Sequence, residues 1–155
     1  MEIKLLETFL TGHDVIDAEH ARIVSSINSV SKTIENGQFG ECTRLLDDFL
    51  NICAAHFNTE ETLLAKLRYP DLEEHAVFHK ELILKAKAVR VLCMDANDPQ
   101  SLAKCFDEMA ALLVEDVIKG DMAFVSFLIE KGEAKPRDLH VMPIPKHELP
   151  DDIKS

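Results

Sequence analysis

Four stretches of this chain repeat apolar residues every three or four positions, and none of the four has a proline in its interior. That pattern leaves few options: it is the signature of amphipathic helices, and four of them require a shared interior. The first stretch runs through Ile16, His20, Ile23, Ile27, Val30 and Ile34, with Gly37 as its stop. The second runs through Leu46, Phe49, Cys53, Phe57, Glu60 and Leu64, and Pro70 is expected to end it. Asp71 can cap the third, in which Leu72, His75, His79, Leu82, Ala86, Val89 and Cys93 share a face. Asp98 is the N-cap and Pro99 the first helical residue of the fourth. This last stretch passes through Leu102, Cys105, Met109, Leu113 and Asp116 to Phe127 and stops at Gly132. Helices of this length joined by short connections predict an all-α, up-down-up-down four-helix bundle. The expected domain is residues 1–132, including an N-terminal arm. Residues 133–155, with four prolines and no periodicity, form an expected C-terminal tail, a candidate contact for a protein partner.

The net charge of −11 speaks against nucleic acid and anionic membrane as partners, because both select basic surfaces. No stretch reaches the roughly 20 apolar residues of a membrane span. The N-terminus, with Glu2 and Glu7, does not read as a signal peptide, so a cytoplasmic setting is expected. Cys42, Cys53, Cys93 and Cys105 lack CxxC spacing and are expected to be reduced core residues, not disulfides or zinc ligands.

The predicted interior is not purely apolar. His20, His56, Glu60, His75, His79, Asp116 and Asp121 lie on or beside the inward faces, with no Lys or Arg on those stripes to neutralise the acids. Buried carboxylates are costly unless paired, hydrogen-bonded or bound to metal. His56 and Glu60, and His75 and His79, stand four residues apart, so each pair can reach one ion from one helix face. Asp116 and Asp121, five apart, are about 140° apart on an ideal helix and can approach a two-metal centre from either side. Imidazole and carboxylate donors without thiolate suit iron or manganese, with zinc also open.

The pieces IDAEH (16–20), HFNTEE (56–61), YPDLEEHAVFH (69–79) and DVIKGD (116–121) resemble the hemerythrin family over roughly residues 5–130. The resemblance implies two non-heme irons, bridged by an oxo or hydroxo group, that bind O₂. It assigns His20 and His56 to one iron, His75 and His79 to the other, and Glu60 and Asp121 as bridges. The family places a third histidine on the second iron, where this chain has Asp116. Asp116 either coordinates or leaves a position open, with His13 as a candidate replacement. Tryptophans that bacterial members often carry are replaced by Leu5 and Leu112. Ile23, Phe57, Phe78, Leu112 and Leu113 are expected around the pocket, Glu61 as a solvated or outer acid, and Asp17 at the surface or beside a ligand histidine. The implied function is binding of O₂, or of another small ligand such as NO, peroxide or an azide-like anion, for storage, delivery or sensing. The alternative is a di-iron redox enzyme: an oxidase, a peroxidase or a nitric-oxide-handling protein.

Overall fold

The computed structural model describes residues 9–94 and 98–136. Leu5 and the tail beyond residue 136 lie outside the described residues. Helices α1 (Asp14–Glu35), α2 (Cys42–Lys66), α3 (Leu72–Met94) and α4 (Pro99–Val114) each pack against their neighbours in sequence, and α4 returns to α1, closing the four-helix bundle. No strand occurs among the described residues.

The fourth stretch is not one regular helix. After Val114 the backbone widens into a π-helical turn over Glu115–Gly120, tightens into a 3₁₀ turn over Asp121–Phe124, and resumes as α5 (Val125–Glu130). A 3.6-residue periodicity cannot reveal this change, because it is a choice of backbone hydrogen bond.

The helix ends follow their local chemistry. His13 is the N-cap of α1, its Nδ1 accepting from the Ile16 N–H. Asp98 caps α4, accepting from the Ser101 N–H at 3.0 Å, with Pro99 in the first turn. At the end of α5, Gly132 takes a left-handed φ of 74° while the Glu133 N–H donates to the Leu128 carbonyl, the closing bond of a Schellman motif. The same bond closes α2, from Tyr69 N–H to Leu64 carbonyl, but there the left-handed residue is Arg68, at φ 60°. The helix therefore stops at Arg68, and Pro70 only follows.

Two apolar clusters fill the bundle. The larger holds Ile23, Ile27, Leu46, Phe57, Leu82, Met109 and Leu113 among others. The smaller holds Ile16, Leu64, Phe124, Leu128 and Ala134. Ala134 begins the C-terminal segment, whose Lys135 N–H donates to the Gly12 carbonyl. A side chain at Gly12 would meet the Lys135 carbonyl at 2.6 Å, so this crossing needs a glycine.

The cysteine expectation is corrected in part. Cys93, in the last turn of α3, and Cys105, in the second turn of α4, form a disulfide across the hairpin, with Cα atoms 6.0 Å apart. The antiparallel return of α4 brings two inward positions face to face, which spacing alone did not disclose. Cys42 and Cys53 are free and buried, as expected.

Candidate metal centre

Each helix passes from one apolar cluster to the other through an ionisable residue. On α1 the order is Ile16, His20, Ile23; on α2 it is Phe57, Glu60, Leu64. On α3, His75 and His79 precede Leu82. On the fourth stretch, Asp116 and Asp121 separate Leu113 from Phe124. The polar residues thus form one layer between two dry ones. All seven are buried; His20, Glu60 and Asp121 have no exposed surface, and His75, the most open, is 7% exposed.

Glu60 lies at the middle of the layer. Its Oε1 is 2.7 Å from His56 Nε2 and 3.6 Å from His20 Nε2, and its Oε2 is 3.0 Å from both His75 Nε2 and His79 Nε2. Asp121 spans the same gap: Oδ2 is 2.5 Å from His20 Nε2 and 3.7 Å from His56 Nε2, and Oδ1 is 3.7 Å from His75 Nε2. Both carboxylates direct one oxygen to each histidine pair.

Asp116 is not on the side that the resemblance implied for the third ligand. Its Oδ2 is 3.5 Å from His56 Nε2 and 3.7 Å from His20 Nε2, so it joins the α1–α2 histidines and not the α3 pair. The π turn sets the two acids relative to each other. The Asp121 N–H donates to the Asp116 carbonyl, a bond between residues five apart that sets one acid above the other. The 140° separation of a regular helix does not apply.

Two sets of donor atoms result, each gathered within 4.8 Å: His20, His56, Asp116 and Asp121, and Glu60, His75, His79 and Asp121. Among the described residues, nine buried side-chain N and O atoms lack a hydrogen-bond partner. They belong to His20, His56, Glu60, His79, Asp116 and Asp121 and to no other residue. Buried polar atoms are rarely left so. All but His20 Nδ1 are imidazole Nε2 atoms or carboxylate oxygens of residues in the two donor sets, which is what a cation site offers: donors about 2 Å from an ion sit roughly 3 Å apart. The residues fit two cations. Three carboxylates against two dications also leave little net buried charge.

The protonation states fit the same account. Burial pulls His20 down, but Asp121 and Glu60 beside it outweigh that and hold its pKa up at about 9. His56 is raised further, against burial, by Asp116, Asp121 and Glu60. Burial alone would raise Glu60; the four histidines around it hold it well below the carboxylate range. Asp121 is pushed well above that range by burial and by the charges of Asp116 and Glu60. Without metal, protons do the charge balancing. Burial pushes the neighbouring Cys53 thiol up to about 12, and no cysteine joins either donor set.

Outer contacts fix the rings. His56 Nδ1–H donates to Glu19 (3.0 Å) and His79 Nδ1–H to Glu61 (3.1 Å), which leaves each Nε2 facing inward. Phe57 stacks on His79 with ring centroids 4.1 Å apart, and Phe124 meets His75 edge-on at 5.1 Å. Glu61 thus serves as the outer acid. Glu19 escaped sequence reasoning: its one signal is that it directly precedes His20. Asp17 does not touch a ligand histidine; it accepts from the Thr11 and Gly12 N–H groups and holds the loop before α1. His13 is not a replacement ligand, being occupied as a helix cap and lying 3.9 Å from Glu133.

A dry four-helix bundle with a two-cation donor layer at its waist is the class of protein these observations define. The family model of the hemerythrin HHE cation binding domain matches residues 11–121, from the loop before α1 to Asp121 itself, and the chain belongs to that family. A bacteriohemerythrin of Pseudomonas aeruginosa (strain LESB58) is 28% identical over 88 residues, 57% of this chain and 58% of its own length. A myohemerythrin of Riftia pachyptila is 29% identical over 91 residues, 59% of this chain and 71% of its own. A bacteriohemerythrin of Methylococcus capsulatus is 29% identical over 75 residues, 48% and 57% respectively. The chain thus spans a little over half the length of the bacterial relatives it matches.

Proposed function

We propose that this chain holds two irons, with His20, His56, Glu60, His75, His79, Asp116 and Asp121 as ligands, and binds O₂ or a similarly small molecule for storage, delivery or sensing. The observation that carries the reading is the set of orphaned donor atoms, all confined to one buried layer. Held by these residues, two ferrous ions would supply the two electrons that O₂ uptake requires. The protein's own part is positional. Glu60 and Asp121 hold the two metal positions at a set spacing. Glu19 and Glu61 keep the His56 and His79 lone pairs turned inward. Phe57 stacks on His79, and Ile23, Leu112 and Leu113 are buried in the same apolar cluster as Phe57, a dry surrounding that favours retention of a bound molecule over leakage of reduced oxygen.

A second reading, a di-iron oxidoreductase, is favoured by one observation: a carboxylate, Asp116, points into the donor layer where the family has an imidazole. Its negative charge stabilises the oxidised metal. The cytoplasm is the setting proposed for either role. Among the described residues no helix is long and apolar enough to cross a membrane.

Anaerobic Fe(II) reconstitution followed by an O₂ titration, watched by visible absorption, tests the proposal. A coloured form that bleaches under vacuum supports binding. Immediate, irreversible oxidation with turnover of peroxide transfers support to the oxidoreductase.

A further inference from the structure

Helix α3 is apolar on both of its faces. Inward, Leu82, Ala86, Val89 and Cys93 are buried beyond the histidines. Outward, Val77, Leu84 and Val91 are 53%, 67% and 59% exposed, and Leu92 and Met94 are bare beside them. Among the described residues, the only other exposed large apolar side chains are Val15 and Val114, so α3 holds most of this surface. Val77, Leu84 and Val91 recur every seven residues, two helical turns, and form one ridge. A helix apolar all round is ordinarily buried all round, and a contiguous exposed apolar patch marks an interaction surface.

The charges around the ridge say what can cover it. Bases outnumber acids in α3 (Lys80, Lys85, Lys87 and Arg90 against Glu73, Glu74 and Glu81), whereas acids outnumber bases in α1, α2 and α4. On a chain of net charge −11, this is the helix through which two copies repel each other least. Lys85 and Arg90 are engaged with Glu115 and Asp47. Lys80 and Lys87 make no ion pair among the described residues. They stand exposed about 60° to one side of the ridge, and Glu74 and Glu81 stand exposed about 40–60° to the other. A half-turn about an axis parallel to the helix brings the cationic flank of one copy against the acidic flank of the other, with Glu81 nearly level with Lys80. Only the first turn then sets like against like, Glu73 facing Glu74. An antiparallel approach instead sets each flank against itself. A groove of about 450 Å³ between α2 and α3, lined by Ala54, Phe57, Lys80, Ile83 and Leu84 among others, adjoins the ridge on its Lys80 side. The parallel half-turn presents that groove to the Leu84 of the other copy.

We infer that the outer face of α3 is the seam of a homodimer, in which a second copy of this chain packs α3 on α3, parallel, about a twofold axis running along the ridge. Leu84 is at its centre, and Glu81 of each copy pairs with Lys80 of the other. The surface is self-complementary, so association closes at two copies. The ridge is on the face of α3 opposite His75 and His79, so the pairing stands independently of the two-iron reading.

Sedimentation velocity of the full chain over a wide concentration range is the test. The expected result is a monomer–dimer equilibrium that Leu84→Glu shifts to monomer while the helical circular dichroism stays unchanged. A monomer at every concentration, or a dimer indifferent to Leu84→Glu, overturns the inference. Glu81→Lys should weaken the dimer about tenfold, or ~1.4 kcal/mol, and adding Lys80→Glu to it should restore the affinity, which a merely structural role for Glu81 would not do. Oxidative cross-linking reads the orientation. Val77→Cys should cross-link to itself in the parallel dimer. Cross-linking only when Val77→Cys and Val91→Cys chains are mixed means an antiparallel seam and overturns the inference.

Discussion

The larger apolar cluster and the ionisable layer sit end to end in the same bundle, yet they are held together by opposite logic. Among Ile27, Leu46, Leu82 and Met109 each residue is satisfied by any apolar neighbour of suitable shape. Interactions there are numerous, weak and exchangeable. In the layer, four imidazoles and three carboxylates satisfy one another poorly, and each donor has a single destination. Truncation in the cluster should therefore cost stability and spare the metal, whereas truncation in the layer should cost the metal and spare the fold.

The largest expected effect is at Glu60, whose two oxygens lie within 3.6 Å of all four ligand histidines. Glu60→Gln should reduce bound metal from two ions to one or none while the metal-free chain keeps its helical circular dichroism. Retention of two ions would break the comparison from the layer's side. From the cluster's side, Leu82→Ala should destabilise the fold by ~2–5 kcal/mol, read by denaturant unfolding, with metal content per folded chain unchanged. Lost metal in that variant would mean the two regions are not separable.

A subtler division concerns Glu19, which touches the layer only through His56 Nδ1. Glu19→Gln should weaken metal affinity by ~10–100-fold, measured by competition with a chelator, and leave the metal-free melting temperature nearly unmoved. The smallest effect is one of pH. In the metal-free chain His20 has a pKa of about 9 against an ordinary 6.5. Its ionic contacts stabilise the fold fully below pH 6.5 and are lost as pH rises through about 9. Metal competes for the same lone pair, so apparent metal affinity should climb across that window and binding should release protons. Calorimetry in buffers of differing ionisation enthalpy measures that release, and its absence would mean His20 does not ligate.

The same contrast explains what was legible in the sequence. Apolar spacing announced the helices and the inward position of His20, Glu60, His75 and His79, because burial in a helix obeys one period. Gly132 and Asp98 announced their caps because their chemistry is local. The π turn after Val114 was silent, since a shift from a four-residue to a five-residue hydrogen bond leaves no mark on composition. Arg68 in a left-handed conformation and the Cys93–Cys105 bond were hidden for a related reason. Both depend on how neighbouring elements meet, which spacing along one helix does not encode. Glu19 went unread because its partner, His56, is on another helix.

The central claim is that this layer is a two-metal site, and counting metal tests it most directly. Anaerobic titration with Fe(II), removal of loose metal by gel filtration and metal analysis of the retained protein should give two irons per chain, falling in Glu60→Gln. One iron or none in the unaltered chain, or two irons indifferent to Glu60, would contradict the account.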